Sequence, residues 1–338
     1  MNARVVGILV VLLAVLGGAA LLLQREDRAQ RPQDAATLGQ PLLKDLKAAD
    51  IAKIRIVEPK SALTLSRKEE SWVIDERDGF PADFTKVRDF VVKAVSLKIA
   101  QSEPVGEKDR ARLNLDSSAA TQVEFAGADG KPLAKALIGK KLFRSEPENP
   151  AKALGDGRFV MLPDDDKRVF MVSDPLVQAT AKSAEWIDRR SFRIEKVKML
   201  EVRYPDGESW RLERAKDNAP WKLSGTLRPG EQVDTSKANA ATYTLGLLEL
   251  ADVAPKGASP EATGLDKPIR LSATTLDGSS YAVRIGKLEG ENYYVTLESG
   301  PEKDKLFMQR VLLIAKSRLE DTLKKRSELV EKKKDTKK

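Results

Sequence analysis

VKMLEVRYPDGESWRLERAKDNAPWKL, residues 197–223, decides the fold because it repeats in outline IAKIRIVEPKSALTLSRKEESWVI at residues 51–74. Apolar residues alternate with polar ones in both: Ile54, Ile56, Leu63, Leu65, Trp72 and Ile74 in the first, and Leu200, Val202, Trp210, Leu212, Trp221 and Leu223 in the second. A period of two marks half-buried strands, and Glu58-Pro59 and Pro205-Asp206-Gly207 supply the breaks, so each stretch predicts a three-stranded antiparallel meander. Trp221 follows Trp72 by 149 residues (221 minus 72). Two further landmarks keep nearly that spacing, Leu115-Asp116 with Leu265-Asp266 and Ile138-Gly139-Lys140 with Ile285-Gly286-Lys287. A period of domain size in a chain of 338 residues predicts two homologous domains, each with its own core.

Beyond each meander the period changes. Asp83 is placed to cap a helix whose face carries Phe84, Val87, Val91, Ala94 and Val95, and Asp234 opens a matching segment with Ala238, Ala241, Leu245 and Leu248. Strands return at Val123 and Phe125 and at Leu271 and Ala273, each followed by an Asp-Gly hairpin signal, at Asp129-Gly130 and Asp277-Gly278. Further strands are expected at 158–162 and 168–172 in the first half and at 293–297 and 305–308 in the second. Closing helices are expected at 175–187 and 311–325. The fold class is α+β: two tandem homologous domains, each a mainly antiparallel sheet with amphipathic helices, behind one N-terminal transmembrane helix.

The transmembrane expectation rests on residues 5–23, an unbroken run of 19 apolar or Gly residues. As a helix it would span roughly 28 Å, close to the bilayer core. A cleaved signal peptide is the rival reading, since Arg4 precedes the run and residues 17–20 are small, but Leu21-Leu22-Leu23 carries the run past them. Arg4 on one side and Arg25, Arg28 and Arg31 on the other leave the orientation open by charge. The expected organisation is an anchor at 1–24, a polar tether at 25–50, repeats at 51–190 and 191–326, and a Lys-rich tail at 327–338.

Composition removes whole classes of chemistry. With no cysteine and no histidine there is no disulfide framework, thiolate nucleophile, Cys/His zinc site or Ser-His-Asp triad. The formal charge of +8 is concentrated at the end: residues 324–338 hold eight Lys or Arg against three acids. Interleaved Glu328, Glu331 and Asp335, with no aromatic residue for stacking, favour a solvated, fraying end over a lipid-touching stretch or a nucleic-acid arm. No nucleic-acid partner is expected.

The block IAKIRIVEPKSALTLSRKEESWVIDERDGFPADFTKVRDFVVKAVSLK, residues 51–98, has paired strands, a Trp, and a Pro-Ala-Asp start to an amphipathic helix. It resembles the bacterial domain-of-unknown-function family 4340. AEWIDRRSFRIEKVKMLEV, residues 184–202, is similar to that family's joining segment, in which an acidic and double-basic turn leads into the next copy. The resemblance covers most of 51–313. It implies one N-terminal membrane segment and an extracytoplasmic, periplasmic accessory role beside ABC-type exporters and gliding-type auxiliary proteins, and it brings no catalytic residues with it.

Candidate sites have plainer structural readings. Asp164-Asp165-Asp166 lacks the spaced oxygen ligands and Gly bend of a calcium loop and reads as a hairpin turn. Trp72 and Trp221 read as core residues before a stacking platform. Asp188-Arg189-Arg190 offers forks suited to phosphate or an acidic partner, against a basic helix end as the simpler use. No local signature singles out a Ser-Lys pair. The expectation is therefore a membrane-anchored accessory or scaffold protein without catalytic residues, metal or cofactor, held by residues 5–23 and partnered by envelope or transporter proteins. A solute- or glycan-binding module using an inter-domain cleft is the alternative. Glycoside cleavage, which needs only two carboxylates, is a distant third.

Overall fold

The computed structural model describes residues 37–333 other than 144, 146, 151 and 154. These residues pack as two compact units. One holds the chain through Ser66 together with Thr85–Ala181; the other holds Arg67–Phe84 together with the chain from Lys182. The segment 67–84, expected inside the first repeat, thus packs with the second half of the chain.

The strands in chain order are β1 (Lys53–Glu58), β2 (Ser61–Lys68), β3 (Ser71–Ile74), β4 (Phe80–Pro81), β5 (Ile99–Pro104), β6 (Thr121–Ala126), β7 (Pro132–Leu142), β8 (Gly157–Leu162) and β9 (Asp165–Val172). Then come β10 (Val197–Arg203), β11 (Ser209–Glu213), β12 (Lys222–Leu223), β13 (Glu231–Val233), β14 (Leu250–Val253), β15 (Ile269–Thr275), β16 (Ser280–Glu289), β17 (Asn292–Ser299), β18 (Leu312–Ala315) and β19 (Val330–Lys332). The helices are α1 (Phe84–Ser96), α2 (Glu107–Arg112), α3 (Thr235–Tyr243), α4 (Pro260–Thr263) and α5 (Lys305–Met308). Within the first unit the strand order is β2-β1-β6-β7-β8-β9-β5, and each neighbouring pair along it is antiparallel. The second unit's eight-stranded sheet runs β12-β11-β10-β15-β16-β17-β18-β14. Reading β11 for β2 and β10 for β1, and so on along each sheet, the two orders coincide from β2 to β5 and from β11 to β14. Mainly antiparallel sheets with few helices make this an α+β architecture.

The alternation read from sequence is what fills the cores. In β1, Ile54 and Ile56 are buried, and Leu63 and Leu65 face them from β2. In β10 and β11, Leu200 and Val202 pair with Leu212 and Trp210. Each such aliphatic side chain contributes roughly 1.5–3 kcal/mol by leaving water. One face of α1 covers the first sheet through Val87, Phe90, Val91 and Ala94, with Phe90 stacked on Phe125 at 6.0 Å. Phe84, expected on that face, is exposed. Asp234 caps α3 as its position predicts, accepting the backbone N–H of Ser236 at 3.0 Å and of Lys237 at 3.1 Å.

The repeated landmarks turn out to touch. In the first unit, Gly139 lies against the carbonyl of Leu113, where an added Cβ would sit 2.4 Å from that oxygen. The Lys140 N–H donates to the same carbonyl at 2.8 Å, and Leu115 is fully buried beside it. In the second unit, Gly286 lies against the carbonyl of Thr263, with an added Cβ only 2.2 Å away and Leu265 alongside. Both glycines fall at an irregularity in register, between Ile138 and Lys141 and between Ile285 and Leu288. A bulge where another backbone approaches closely admits only the residue without a side chain.

Several expectations do not hold. No helix forms at 175–187: the residue before Pro175 is steered away from helical geometry, Asp174 accepts the Leu176 N–H at 2.7 Å, and Leu176 has a φ of 49°. Only a 3-10 turn, Ser183–Glu185, appears there. At 311–325 a strand, β18, replaces the start of the expected helix, with Leu312 and Ile314 buried in alternation. Five consecutive apolar residues, Val311 to Ala315, carry no period of their own, so the sequence admits either element. The expected strand at 305–308 is helix α5.

Two flanking segments are more ordered than their polarity suggests. The last part of the expected tether packs through Leu42, Leu43 and Leu46, and the Leu42 N–H donates to the Leu97 carbonyl at 2.7 Å. The chain expected to fray past 326 buries Leu329 completely and continues as β19, which pairs with β13. Lys325 is held over the Tyr204 ring at 3.7 Å and pairs with Asp206 and Glu208 at 2.9 Å each. Among the described residues no helix is long and apolar enough to cross a membrane; the segment expected to do so, residues 5–23, lies outside them.

Candidate functional site

The site is built inside the second unit, where the segment 67–84 meets the chain after Lys182. β4 pairs with β3, Pro81 opposite Val73 and Phe80 opposite Ile74. Beyond it the backbone pairs with 186–188: Asp83 N–H donates to the Trp186 carbonyl at 2.7 Å, and Asp188 N–H to the Pro81 carbonyl at 3.0 Å. These bonds bring Phe80 and Pro81 beside Asp188, Arg190 and Ser191. The opposite wall comes from the connection between β17 and β18, where the Asp304 N–H donates to the Pro301 carbonyl at 2.9 Å and α5 follows.

Together these residues line a cavity of about 290 Å³, with Lys303, Asp304, Leu306 and Phe307 on the α5 side. Its apolar wall is aromatic: Phe307 lies 6.3 Å from Phe80 and 6.2 Å from the buried Phe192, ring centre to ring centre. Asp304 is only 6% exposed. Among the described residues its Oδ2 has no hydrogen-bond partner, and neither has the Oγ of Ser191. Both oxygens are sealed from solvent, although the residues that carry them line the cavity.

Burial raises the Asp304 pKa above the ordinary carboxylate value, and the Lys303 charge and the Tyr281 hydroxyl nearby only partly oppose it. Tyr281 is pushed up to about 12, first by burial and then by the charges of Asp304 and Asp277. Asp188 behaves differently. Burial alone would raise its pKa, but the Arg190 guanidinium and backbone N–H outweigh that and hold it below the usual range. Arg190 Nε lies 2.8 Å from Oδ2 and 3.0 Å from Oδ1 of Asp188, so the fork is already filled by a carboxylate of its own chain.

The other residues singled out by sequence have structural roles. Trp72 and Trp221 are both buried; Trp221 donates Nε1–H to Asn239 Oδ1 at 2.8 Å and lies under Arg214 at 4.6 Å. Of the three consecutive acids, Asp164 lies in the turn between β8 and β9, Asp165 pairs with Arg168, and Asp166 is 3.6 Å from Arg110. Arg189 reaches Glu249 at 3.9 Å. Among the described residues no group of three or more acidic side chains could hold a metal ion. Asp304 escaped the sequence reading: within Glu302-Lys303-Asp304-Lys305 it resembles any solvated charge run, and only Pro301 before it and Phe307 after it hint at a turn that buries one acid.

A second polar cluster braces the same segment. Arg77 donates from Nε to Asp252 Oδ1 at 3.2 Å and from Nη2 to Oδ2 at 3.1 Å, and Ser183 Oγ donates to Oδ2 at 2.6 Å. Arg77 and Asp252 are about one-fifth exposed and their hydrogen bonds are mutual, so the cluster reads as a clasp.

No curated protein and no solved structure matches the chain. The family model described as domain of unknown function, DUF4340, matches residues 72–268, more than half of its length. That span begins at Trp72, crosses the Asp188-Arg189-Arg190 junction and ends just past Leu265-Asp266, so it takes in strands of both sheets: the chain belongs to the DUF4340 family.

Proposed function

We propose that this chain is a membrane-anchored, extracytoplasmic accessory or scaffold protein of the bacterial inner membrane. On this reading it is held by a transmembrane segment at residues 5–23, carries no catalysis, and acts with an ABC-type export or cell-envelope complex. Its two units are two copies of one α+β domain. The observation that carries the reading is the recurrence of one strand order and one glycine–carbonyl junction in both units, behind an apolar run of 19 residues. Tethered, repeated sheets present surface to other proteins, and that surface carries paired charges, as in Lys135 with Glu124 at 2.9 Å and Arg284 with Glu298 at 2.8 Å. Protease treatment of spheroplasts checks the placement: the globular part is expected to be digested from outside. Crosslinking in intact membranes, followed by mild detergent extraction, is expected to recover a defined envelope protein in fixed ratio. A chain that stays intact in spheroplasts, or crosslinks to nothing, sinks the proposal.

Solute binding is the second reading, and it is favoured by one observation, the cavity of about 290 Å³ with Phe80 and Phe307 on its wall.

A further inference from the structure

We propose that the outer face of the second unit's sheet binds a phosphate group, on a row of arginines that crosses three neighbouring strands. Arg203 of β10 stands directly opposite Arg270 of β15, and Arg270 directly opposite Arg284 of β16. Their chain neighbours Val202, Leu271 and Val283 are buried, so by the alternation of a strand the three arginines share the face turned away from the core. Side chains paired in this way have Cβ atoms about 5 Å apart, and like charges there repel. Arg203 is held through Nε by Glu201 at 2.7 Å, and Arg284 lies 2.8 Å from Glu298. Arg270, between them, is exposed and makes no hydrogen bond or ion pair among the described residues.

The fold does not ask for this row. The same positions of the first sheet, matched strand by strand, are Val57, Gln122 and Leu137, which stand opposite one another in the same way and carry no charge. Gln122 there gives its side-chain amide to the Ser117 carbonyl at 2.8 Å. A repulsion kept in one copy and absent from the other serves something besides architecture. Beside the row lies a shallow hollow of about 690 Å³, on which Arg203 and Arg270 are joined by Lys267 and Ser209. Of the two acids on it, Glu201 is taken by Arg203, and Asp266 stands alone against Arg270 and Lys267. Each guanidinium offers a flat fork to two oxygens, and a phosphate group turns oxygens to more than one fork at once, with Lys267 and the Ser209 hydroxyl as further donors. A single carboxylate fills one fork and leaves its neighbour uncompensated. A cation is repelled. The phosphate of a free solute and that of a lipid headgroup share the required chemistry. The site stands or falls independently of the scaffold reading, because it concerns the purified chain alone.

The test is calorimetric titration of the full chain, in mild detergent, with pyrophosphate and with succinate. Saturable one-to-one binding of pyrophosphate is expected, at least about tenfold tighter than succinate and weaker at high salt. Arg270→Gln should weaken it about tenfold or more, Arg203→Gln by a smaller factor, and Lys135→Gln, in the first sheet, not at all. Arg270 is exposed and has no partner to lose, so its variant keeps the fold. Repeating the titration in phosphatidylcholine nanodiscs separates the sources: competition by added phosphatidic acid but not by oleate of equal charge assigns the site to a headgroup, and competition by neither assigns it to a free solute. Equal affinity for succinate, an equal loss in Lys135→Gln, or no saturable binding of pyrophosphate up to about 10 mM overturns the proposal.

Discussion

The turn between β8 and β9 and the connection between β17 and β18 occupy the same place in two sheets of the same strand order, and they do different things. The first is Pro163-Asp164, a tight hairpin whose neighbouring acids are paired with arginines. The second spans residues 300–311, carries α5, and sets Asp304 and Phe307 against Phe80 to make a lined cavity. The frame is shared and the cavity is not. A longer connection on an unchanged sheet is the cheapest place for a new surface to arise, because the ladder bonds that hold the strands are left alone. Volume alone would have pointed elsewhere, to a shallow hollow of about 690 Å³ in the second unit lined in part by Arg203, Tyr204 and Asp266. The first unit too has a larger hollow, of about 450 Å³, lined in part by Leu133, Asp165 and Arg168, but Asp165 and Arg168 satisfy each other there.

The comparison breaks most sharply at the shared frame. Gly139→Ala and Gly286→Ala should each destabilise by about 3 kcal/mol or more, since a Cβ would be driven into a carbonyl oxygen rather than a movable side chain. Urea unfolding of the two variants checks it, and a tolerated alanine at one site would show that the two junctions are not equivalent. Next in size is Arg77→Ala, which strands the Asp252 carboxylate and should cost about 2 kcal/mol. A double-mutant cycle with Asp252→Ala measures the coupling, and additivity would remove 67–84 as a braced part of the second unit.

Asp304→Asn tests the cavity side of the comparison and should stabilise the protein on the order of 1 kcal/mol at pH 7, by removing a buried charge that lacks a full set of partners. The sign follows from its folded pKa lying above the unfolded value. Between those two values the folded state holds the proton more tightly, so wild-type stability falls as pH rises through the window and the deficit persists above it. Lys303 and Tyr281, which face the carboxyl, remain in the variant. Thermal melts from about pH 3 to about pH 8 should show the two proteins converging at the acid end. Smallest is Asp234→Ala, expected to cost about 1 kcal/mol through the lost cap of α3. That carboxyl is held below its usual range by the Lys237 N–H first, so its contribution is present at neutral pH and lost as pH falls through the depressed folded value.

What was legible in the sequence was whatever repeats with a period or bends at a turn residue. Ile54, Ile56, Leu200 and Val202 declared their strands by alternation, and Asp129-Gly130, Asp206-Gly207 and Asp277-Gly278 declared their turns. Gly139 and Gly286 were visible as landmarks, but the reason for them, a carbonyl from a distant segment, was not. The closing segments failed for a different reason: Leu312 to Ala315 is apolar throughout, and the choice of strand was made by β14 and β17 pairing on either side. Asp304 was hidden because a single acid among exposed charges has no pattern.

Segment 67–84 also fixes an order of events in the life of the chain. It emerges from the ribosome early, yet Phe80 and Arg77 find their companions only after Phe307 and Asp252 have been synthesised. Until then its aromatic and aliphatic side chains have nowhere to hide, and the closure that finally shelters them spans over 200 residues between Phe80 and Phe307. Contacts so distant along the chain are slow to form, so the second unit can close only after nearly all of the described chain has been made.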